Sequence, residues 1–474
     1  MCAPQDLGAG GVGGPPRRQR HIFSKRDRGH RSHETGIVMV TMGSIKRYVA
    51  TIVMVFCSAL CIGAADARDP SHWSAVWATA LVHSPVPVSG VRPSVQTAPR
   101  LHDQTLRQMV VLSAGGSRIR IRLSNAFGTR PLHIDAASVG VQRVGNKNGQ
   151  LDASSLHALH FDGRSHVVLL PGAARYSDPV DLPVREGDTL GISLYVTGTV
   201  AASTWHPDAR WNNLISTQGN HTMAAIMPVA VTTGATMWLS AVDVQADTQP
   251  PVLVALGDSI TNGFRSTVGA AHSYPQMLAR RLHGMKPICR VAVVDVGIDG
   301  NEMSDRDGGY GPGQGMERRF KRDVLGQSGA RFVLLLGGVN DIGEPAIALH
   351  AQGKTLDDMT ARRIVANVIE AQQEIINQAH AAGLRIFGAT ILPFEGTQGA
   401  YSAAGERARQ QVNDWIRHRA PFDGVVDFDK VMRDPSHPLR LRPDIDSGDH
   451  IHPNDEGYAT MAAAVPPSLL GCKS

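Results

Sequence analysis

The sequence predicts two architectures in series: an all-β sandwich of jelly-roll type over residues 68–248, then a three-layer α/β/α region over residues 249–474. Three observations predict it. Period-two alternation of apolar and polar residues dominates from about residue 70 to residue 248. The pair Pro250-Pro251 then punctuates the chain, and prolines so placed end one element and lead into the next strand. Beyond them, short apolar runs alternate with helical stretches, the pattern of a parallel sheet covered on both faces. A chain of 474 residues, 42% hydrophobic and 19% charged, can build a sizeable core, and its composition excludes a disordered polymer, a collagen and a coiled coil.

Residues 1–67 read as a basic leader and signal peptide. They hold nine Lys and Arg against four Asp and Glu, which is the whole of the +5 net charge. The body is neutral, so the charge implies no nucleic-acid partner. Lys46-Arg47 precede an apolar stretch from Tyr48 to Ala65, closed by Ala65-Asp66-Ala67, the layout of a secretory signal with its cleavage site. Met39 or Met42 is the natural start of such a signal. The other reading of the stretch is an 18-residue anchor, just long enough to span a bilayer. The expectation is a secreted or periplasmic protein with no stable membrane anchor after cleavage. Of five cysteines, Cys289 and Cys472 then remain; they either bridge, as an oxidising compartment permits, or stay as two buried thiols.

In the first region, Ser117–Leu123 alternates strictly, with Ile119, Ile121 and Leu123 on one face and Arg118, Arg120 and Arg122 on the other. Runs 167–170, 190–196 and 237–244 also read as strands between Gly, Asp, Asn and Pro turns, and Asn125–Gly128 reads as a turn. One buried face per strand implies a sandwich that folds around its own core. Five of the six tryptophans lie here: Trp73, Trp77, Trp205, Trp211 and Trp238. They are either core residues or platforms for sugar rings.

In the second region, apolar runs at 252–256, 290–296, 331–336, 385–391 and 424–428 read as strands, and 360–382 and 403–420 as helices. Ligands bind beyond the carboxyl ends of such strands, and unusual polar residues cluster there. Gly257-Asp258-Ser259-Ile260-Thr261-Asn262-Gly263 follows the first run, Val296-Gly297-Ile298-Asp299-Gly300-Asn301 the second, and Gly337-Gly338-Val339-Asn340-Asp341 the third. Ser447-Gly448-Asp449-His450-Ile451-His452-Pro453 stands near the end. A hydrolase that passes an acyl group through a hydroxyl needs a nucleophile, a base and an orienting acid. Ser259, His452 and Asp449 supply those types. Ser259 alone is also a plausible helix cap. His450, His452 and Asp449 have a spacing that suits zinc, yet no third dispersed ligand is evident. Asp258 and Asp341 read as hydrogen-bond acceptors near the site, 308–315 as a loop on its rim, and Arg318, Arg319, Lys321 and Arg322 as a solvated helix face.

The four blocks, in order over about residues 251–470, resemble the SGNH hydrolase superfamily, also called GDSL esterases and lipases, with Ile260 in place of the leucine. The resemblance implies a flavodoxin-like α/β/α fold and a serine esterase using no metal and no organic cofactor. Its oxyanion hole would be the N–H groups of Ser259 and Gly300 with the Asn340 amide. The similar branch carries an N-terminal β-sandwich and includes polysaccharide-deacetylating and aryl esterases. Its implied partner is an ester substrate, an acetylated polysaccharide first and a short-chain lipid or aryl ester second. The same constellation serves a polysaccharide O-acetyltransferase, and a sugar-binding protein with a silent site is the remaining alternative. The linker of about Thr248–Pro251 is too short for a free tether. The sandwich should therefore be docked, with its loops forming a wall of the active-site cleft.

Overall fold

The parallel sheet sets the position of everything else. Its five strands lie in the order Ala292–Gly297, Val252–Gly257, Ala330–Leu336, Arg385–Ala389 and Gly424–Val426. That is sequence order 2-1-3-4-5, the flavodoxin-like arrangement, so the chain reverses direction across the sheet on either side of Val252–Gly257. All six residues of that strand are buried. The computed structural model describes residues 73–473, apart from 89–90, 144, 287 and 307–308. The predicted leader and signal peptide lie outside the described residues. Among the described residues, no helix is long and apolar enough to cross a membrane.

The helices form where the sequence provides a cap and an apolar stripe. In Asp358–Ala381 the Asp357 carboxylate accepts from Thr360 N at 2.7 Å, and Ala361, Ile364, Val365, Val368, Ala371 and Ile375 are buried at helical spacing. Ala403–His418 is capped in the same way by Ser402, whose Oγ accepts from Gly405 N at 3.0 Å. Cys289, just ahead of Ala292–Gly297, is joined to Cys472 by a disulfide with its Cα atoms 5.5 Å apart.

The N-terminal region is built of antiparallel sheets. One has the order Trp73–Ala78, Leu239–Gln245, Arg118–Ser124, Ala174–Tyr176. The largest has the order Val229–Thr233, Asn213–Gln218, Arg100–Val111, Thr189–Ala201, Ala136–Gln142, His157–Ala158. Ile119, Ile121 and Leu123 of the first sheet and Leu106, Ile192 and Leu194 of the second are fully buried.

The arginine face of Arg118–Ser124 shows where the two regions meet. Its alternation is as predicted; on the polar side Arg118 pairs with Asp181 of the β region, while Arg120 and Arg122 reach the α/β region. Arg120 lies over the rings of Tyr176 and Trp73 at 3.9 and 4.5 Å, and donates to Asp243 Oδ2 at 2.9 Å and to Ser328 Oγ at 3.0 Å. Arg122 donates to Gly326 O and, at 3.1 Å, to Gln327 Oε1. Residues 326–328 belong to the turn before Ala330–Leu336. Ala75 N donates to Ser328 O at 2.9 Å and Ser74 Oγ to Pro250 O at 2.6 Å. The sandwich thus leans on its neighbour, through arginines whose hydrogen bonds replace those to water.

A correction concerns Arg318–Arg322. Arg318 and Lys321 are exposed, but Arg319 is 0% exposed. The Met316–Phe320 turn points it inward beside Met316 and Phe320. There it donates to Gly257 O and Val296 O, both at 2.8 Å, and to Asn301 Oδ1 at 2.9 Å, with Asp323 at 3.2 Å as its counter-charge. It clamps the carboxyl ends of two neighbouring strands. A buried guanidinium is tolerable only when its donors are satisfied, as here.

Candidate active site

Ser259 begins the short helix Ser259–Asn262 directly after the central strand, and Asp258 caps that helix with Oδ1 accepting from Ile260 N at 3.0 Å. The turn is tight because Gly297 of the neighbouring strand leaves room for it. A Cβ there would sit 2.4 Å from Asn262 N and 2.8 Å from Asp258 O. Ser259 Oγ lies 2.8 Å from His452 Nε2, and His452 Nδ1 lies 2.9 Å from Asp449 Oδ2. The three side chains form one hydrogen-bonded line. Phe264 packs edge-to-face on the imidazole, ring centres 4.8 Å apart, which holds the ring's plane.

Asp449 is fixed from several sides. Its Oδ1 accepts from the N–H groups of His452 and Ile451 at 2.9 and 3.2 Å, and Arg265 Nε donates to Oδ2 at 3.0 Å. Burial opposes its ionisation, but the hydrogen bonds and charge of His452 win and hold the carboxyl well below the usual range. Arg265 reaches it from a backbone with φ 72°, a left-handed conformation that costs an ordinary residue energy and is found at functional sites. His450 faces elsewhere: its Nδ1 is 2.7 Å from Asp446 Oδ2. Among the described residues, no group of three or more His, Cys, Asp or Glu is placed to hold a metal ion.

The loops after the second and third strands meet beside the serine. Gly300 has φ 72°, which favours glycine, and Asn340 lies in the first turn of Val339–His350. Asn340 Nδ2 donates to Asn301 O at 2.9 Å, so one amide hydrogen locks the two loops together and the other is left over. Asp341 accepts from Met303 N and Ser304 N at 2.9 and 3.3 Å. Burial pushes both Asp258 and Asp341 up to about 7. These two acids hold backbone in place around the serine.

Ser259, His452, Gly300 and Asn340 line one cavity of about 400 Å³. One wall is apolar and comes from the α/β region: Phe264, Ile298, Val339, Ile347, Phe394 and Ile451. The other comes from the β region, as Gln96, His206, Pro207 and Asp208. The two are stitched at Asn262. Its Nδ2 donates to Asp299 Oδ1 at 2.8 Å and to Asp208 O at 2.9 Å, and its Oδ1 lies 3.1 Å from His206 Nε2. His206 Nδ1 is in turn 2.8 Å from Ala80 O. Burial, with the charge of Asp208 next in size, pushes Asp299 up to about 8.

Sequence reasoning missed His206, Arg265 and Phe264, gave Asn262 no role and took Arg319 for a solvated residue. Asn262 lies inside the first block and Phe264 just past it, three and five residues after Ser259. His206 had only the weak signal of a histidine between a tryptophan and a proline.

Residues 255–460 match the family model described as the GDSL-like Lipase/Acylhydrolase family. This region is a GDSL-like acylhydrolase domain, and the chain is a carboxylic ester hydrolase. Similar solved structures include a carbohydrate acetylesterase family member from Sinorhizobium meliloti, at 17% identity over 47% of this chain and 100% of that one, with a TM-score of 0.35. A GDSL-like lipase from Bacteroides thetaiotaomicron is 17% identical over 46% of this chain and 88% of its own, TM-score 0.34. An acetylxylan esterase from Geobacillus stearothermophilus, studied as a catalytic mutant, is 18% identical over 45% and 91%, TM-score 0.33. No curated protein matches the chain.

Proposed function

We propose that this acylhydrolase is a secreted or periplasmic serine esterase that removes acetyl groups from a polysaccharide through an acyl-serine intermediate. The supporting observation is the line Ser259–His452–Asp449 opening into a cavity with one polar wall from the β region. In this reading His452 Nε2 takes the hydroxyl proton of Ser259 as Oγ attacks the ester carbonyl carbon. The oxyanion is held by the N–H groups of Ser259 and Gly300 and by the spare Asn340 amide hydrogen. Collapse of this intermediate expels the sugar alkoxide, which collects the proton from the imidazolium. Water then adds to the acyl-enzyme by the same route and releases acetate. Asp449 holds the imidazole's tautomer and balances its charge.

The apolar wall supports a second reading, a short-chain lipid or aryl esterase, because Val339, Ile347 and Phe394 leave more room than an acetyl methyl fills. Nitrophenyl esters of rising chain length, assayed beside acetylated xylan, test both. Release of acetate from xylan with a fall in kcat/KM beyond acetate supports the first. Rising kcat/KM through butyrate and hexanoate, with xylan untouched, supports the second.

A further inference from the structure

Five tryptophans lie in the β region, and the structure sorts them. Trp205 and Trp238 are buried, 2% and 1% exposed. Trp73 is capped by the Arg120 guanidinium at 4.5 Å. The two that remain, Trp77 and Trp211, are half-buried, and both line one cavity of about 250 Å³ between the β and α/β regions. This cavity is separate from the catalytic one. Around the indoles stand Glu186 of the β region and Gln276, Arg280 and Asp295 of the α/β region. Trp211 Nε1 is already engaged with Asn148 Oδ1 at 3.1 Å, so what that residue offers the cavity is its ring.

We propose that this second cavity is a binding subsite for an unacetylated sugar ring of the polysaccharide whose ester is cleaved next door. The chemistry of the walls selects that ligand. A pyranose presents C–H faces, which lie well on indole rings, and an equatorial girdle of hydroxyls. Carboxylate, amide and guanidinium groups recognise that girdle with paired hydrogen bonds. Arg280 already donates to Ala271 O, and Gln276 and Asp295 accept from Ser273 Oγ at 3.1 and 3.2 Å, so the walls meet a hydroxyl with the remaining donors and acceptors of side chains that are already held in place. The volume suits a single ring, lying just under the range of sites for larger ligands.

Two shared segments make the subsite part of the same binding surface. The β-region segment His206–Trp211 lines the catalytic cavity with His206, Pro207 and Asp208 and the second cavity with Trp211. The α/β segment does the same, with Phe264 at one end and Gly269–Ala271 at the other. Arg210 bolts them together: its guanidinium donates to Ser266 O, and its carbonyl accepts from Gly269 N at 2.9 Å. Asp208 and Trp211 are three residues apart, so their Cα atoms are within about 11 Å. A chain threaded past the serine thus meets the indoles within a few sugar units.

The proposal rests on the polysaccharide reading of the active site, and the experiment separates the two. The full chain is titrated calorimetrically with xylohexaose, cellohexaose and 4-nitrophenol, none of which is an ester. Binding of a hexaose, weakened about tenfold or more in Trp211→Ala and in Gln276→Ala, supports the subsite. Thermal unfolding of each variant checks its fold, and Trp77→Phe, which keeps a ring, should bind better than Trp211→Ala. Absence of hexaose binding, equal binding by folded variants, or binding of 4-nitrophenol alone overturns it. Acetate release from acetylated xylan is followed separately. If release fails while hexaose binding depends on Trp211, the deacetylase reading falls and the subsite stands; the reverse pattern removes the subsite alone.

Discussion

The two walls of the catalytic cavity differ in origin and in kind. The α/β wall carries the serine, the histidine and a lining of large apolar side chains, set by the end of the central strand, the helix Val339–His350 and the loops around them. The β wall carries no member of the serine–histidine–aspartate line, yet its His206 and Asp208 reach into the nucleophile's own turn through Asn262. One wall holds Ser259 and His452. The other holds the turn that carries Ser259. The difference teaches that the β region is joined by hydrogen bonds, through Asn262, to both the turn that carries Ser259 and the Asp299–Gly300 loop.

Substitutions on either wall test this contrast. The largest effect is expected from Ser259→Ala, which should lower kcat on nitrophenyl acetate by about 10⁴–10⁶ with the fold intact. Residual turnover near that of the parent would remove Ser259 as nucleophile. Asn340→Ala should cost roughly 10²–10³ in kcat, the usual loss of one oxyanion donor. His206→Ala sharpens the comparison from the other wall. It touches no reacting atom, and its loss should lower kcat about tenfold on every ester while KM holds, because misplacement of catalytic groups acts on the barrier. Partial recovery in His206→Gln, whose amide can still donate to Asn262 Oδ1, marks positioning. A change confined to KM would place His206 in substrate binding instead. Gly343→Val is milder still. Its first added carbon would lie 3.5 Å from Ala400 Cβ, so it should narrow the apolar wall and reduce kcat/KM for hexanoate about tenfold relative to acetate.

The smallest effect is on stability. Burial raises Asp258, Asp295, Glu302 and Asp341 to about 7 and Asp299 to about 8, against about 4 in an unfolded chain. Between pH 4 and 8 the folded state therefore binds more protons than the unfolded state, and stability falls as pH rises through that window. Asp449 has the opposite sign: its depressed value adds stability above about pH 4, which is lost as the pH falls further. The unfolding midpoint should thus be higher near pH 5 than at pH 8 and fall again below pH 4. Asp341→Asn should flatten the upper limb. A midpoint that climbs steadily from pH 5 to pH 8 would contradict this assignment of buried acids.

What the sequence could show follows the same division. The five parallel strands were legible because both faces of the sheet are buried, so each strand reads as an unbroken apolar run between turn residues. Ser259 was legible in a block of rare composition at a strand end, and Asp449 and His452 in another near the end of the chain, and the structure brings them within hydrogen-bonding distance. Arg319 was not legible, because a charged residue in a charged run gives no sign that three carbonyl-type acceptors wait for it in the core. The partners of the arginine face of Arg118–Ser124 were not legible for a related reason. Alternation reports which side is polar, and says nothing about whether water or another part of the protein covers it. His206 and Asn262 are 56 residues apart, and only the docking of two separately patterned regions makes them neighbours.

The Cys289–Cys472 bridge has a topological consequence. It closes a covalent ring across a sequence separation of 183 residues, and the ring contains Gly300, Asn340, Asp449 and His452. Ser259 and the whole β region hang outside it as a tail. A protease that nicks the chain once inside the ring leaves a single covalent molecule, with every reactive group still tethered. A nick between Ser259 and Cys289 instead severs Ser259 from His452, and only packing keeps them together. In the chain-entropy account a loop of this size restricts the unfolded state by about 5 kcal/mol, so reduction should convert a nick-tolerant enzyme into one that a single cut takes apart.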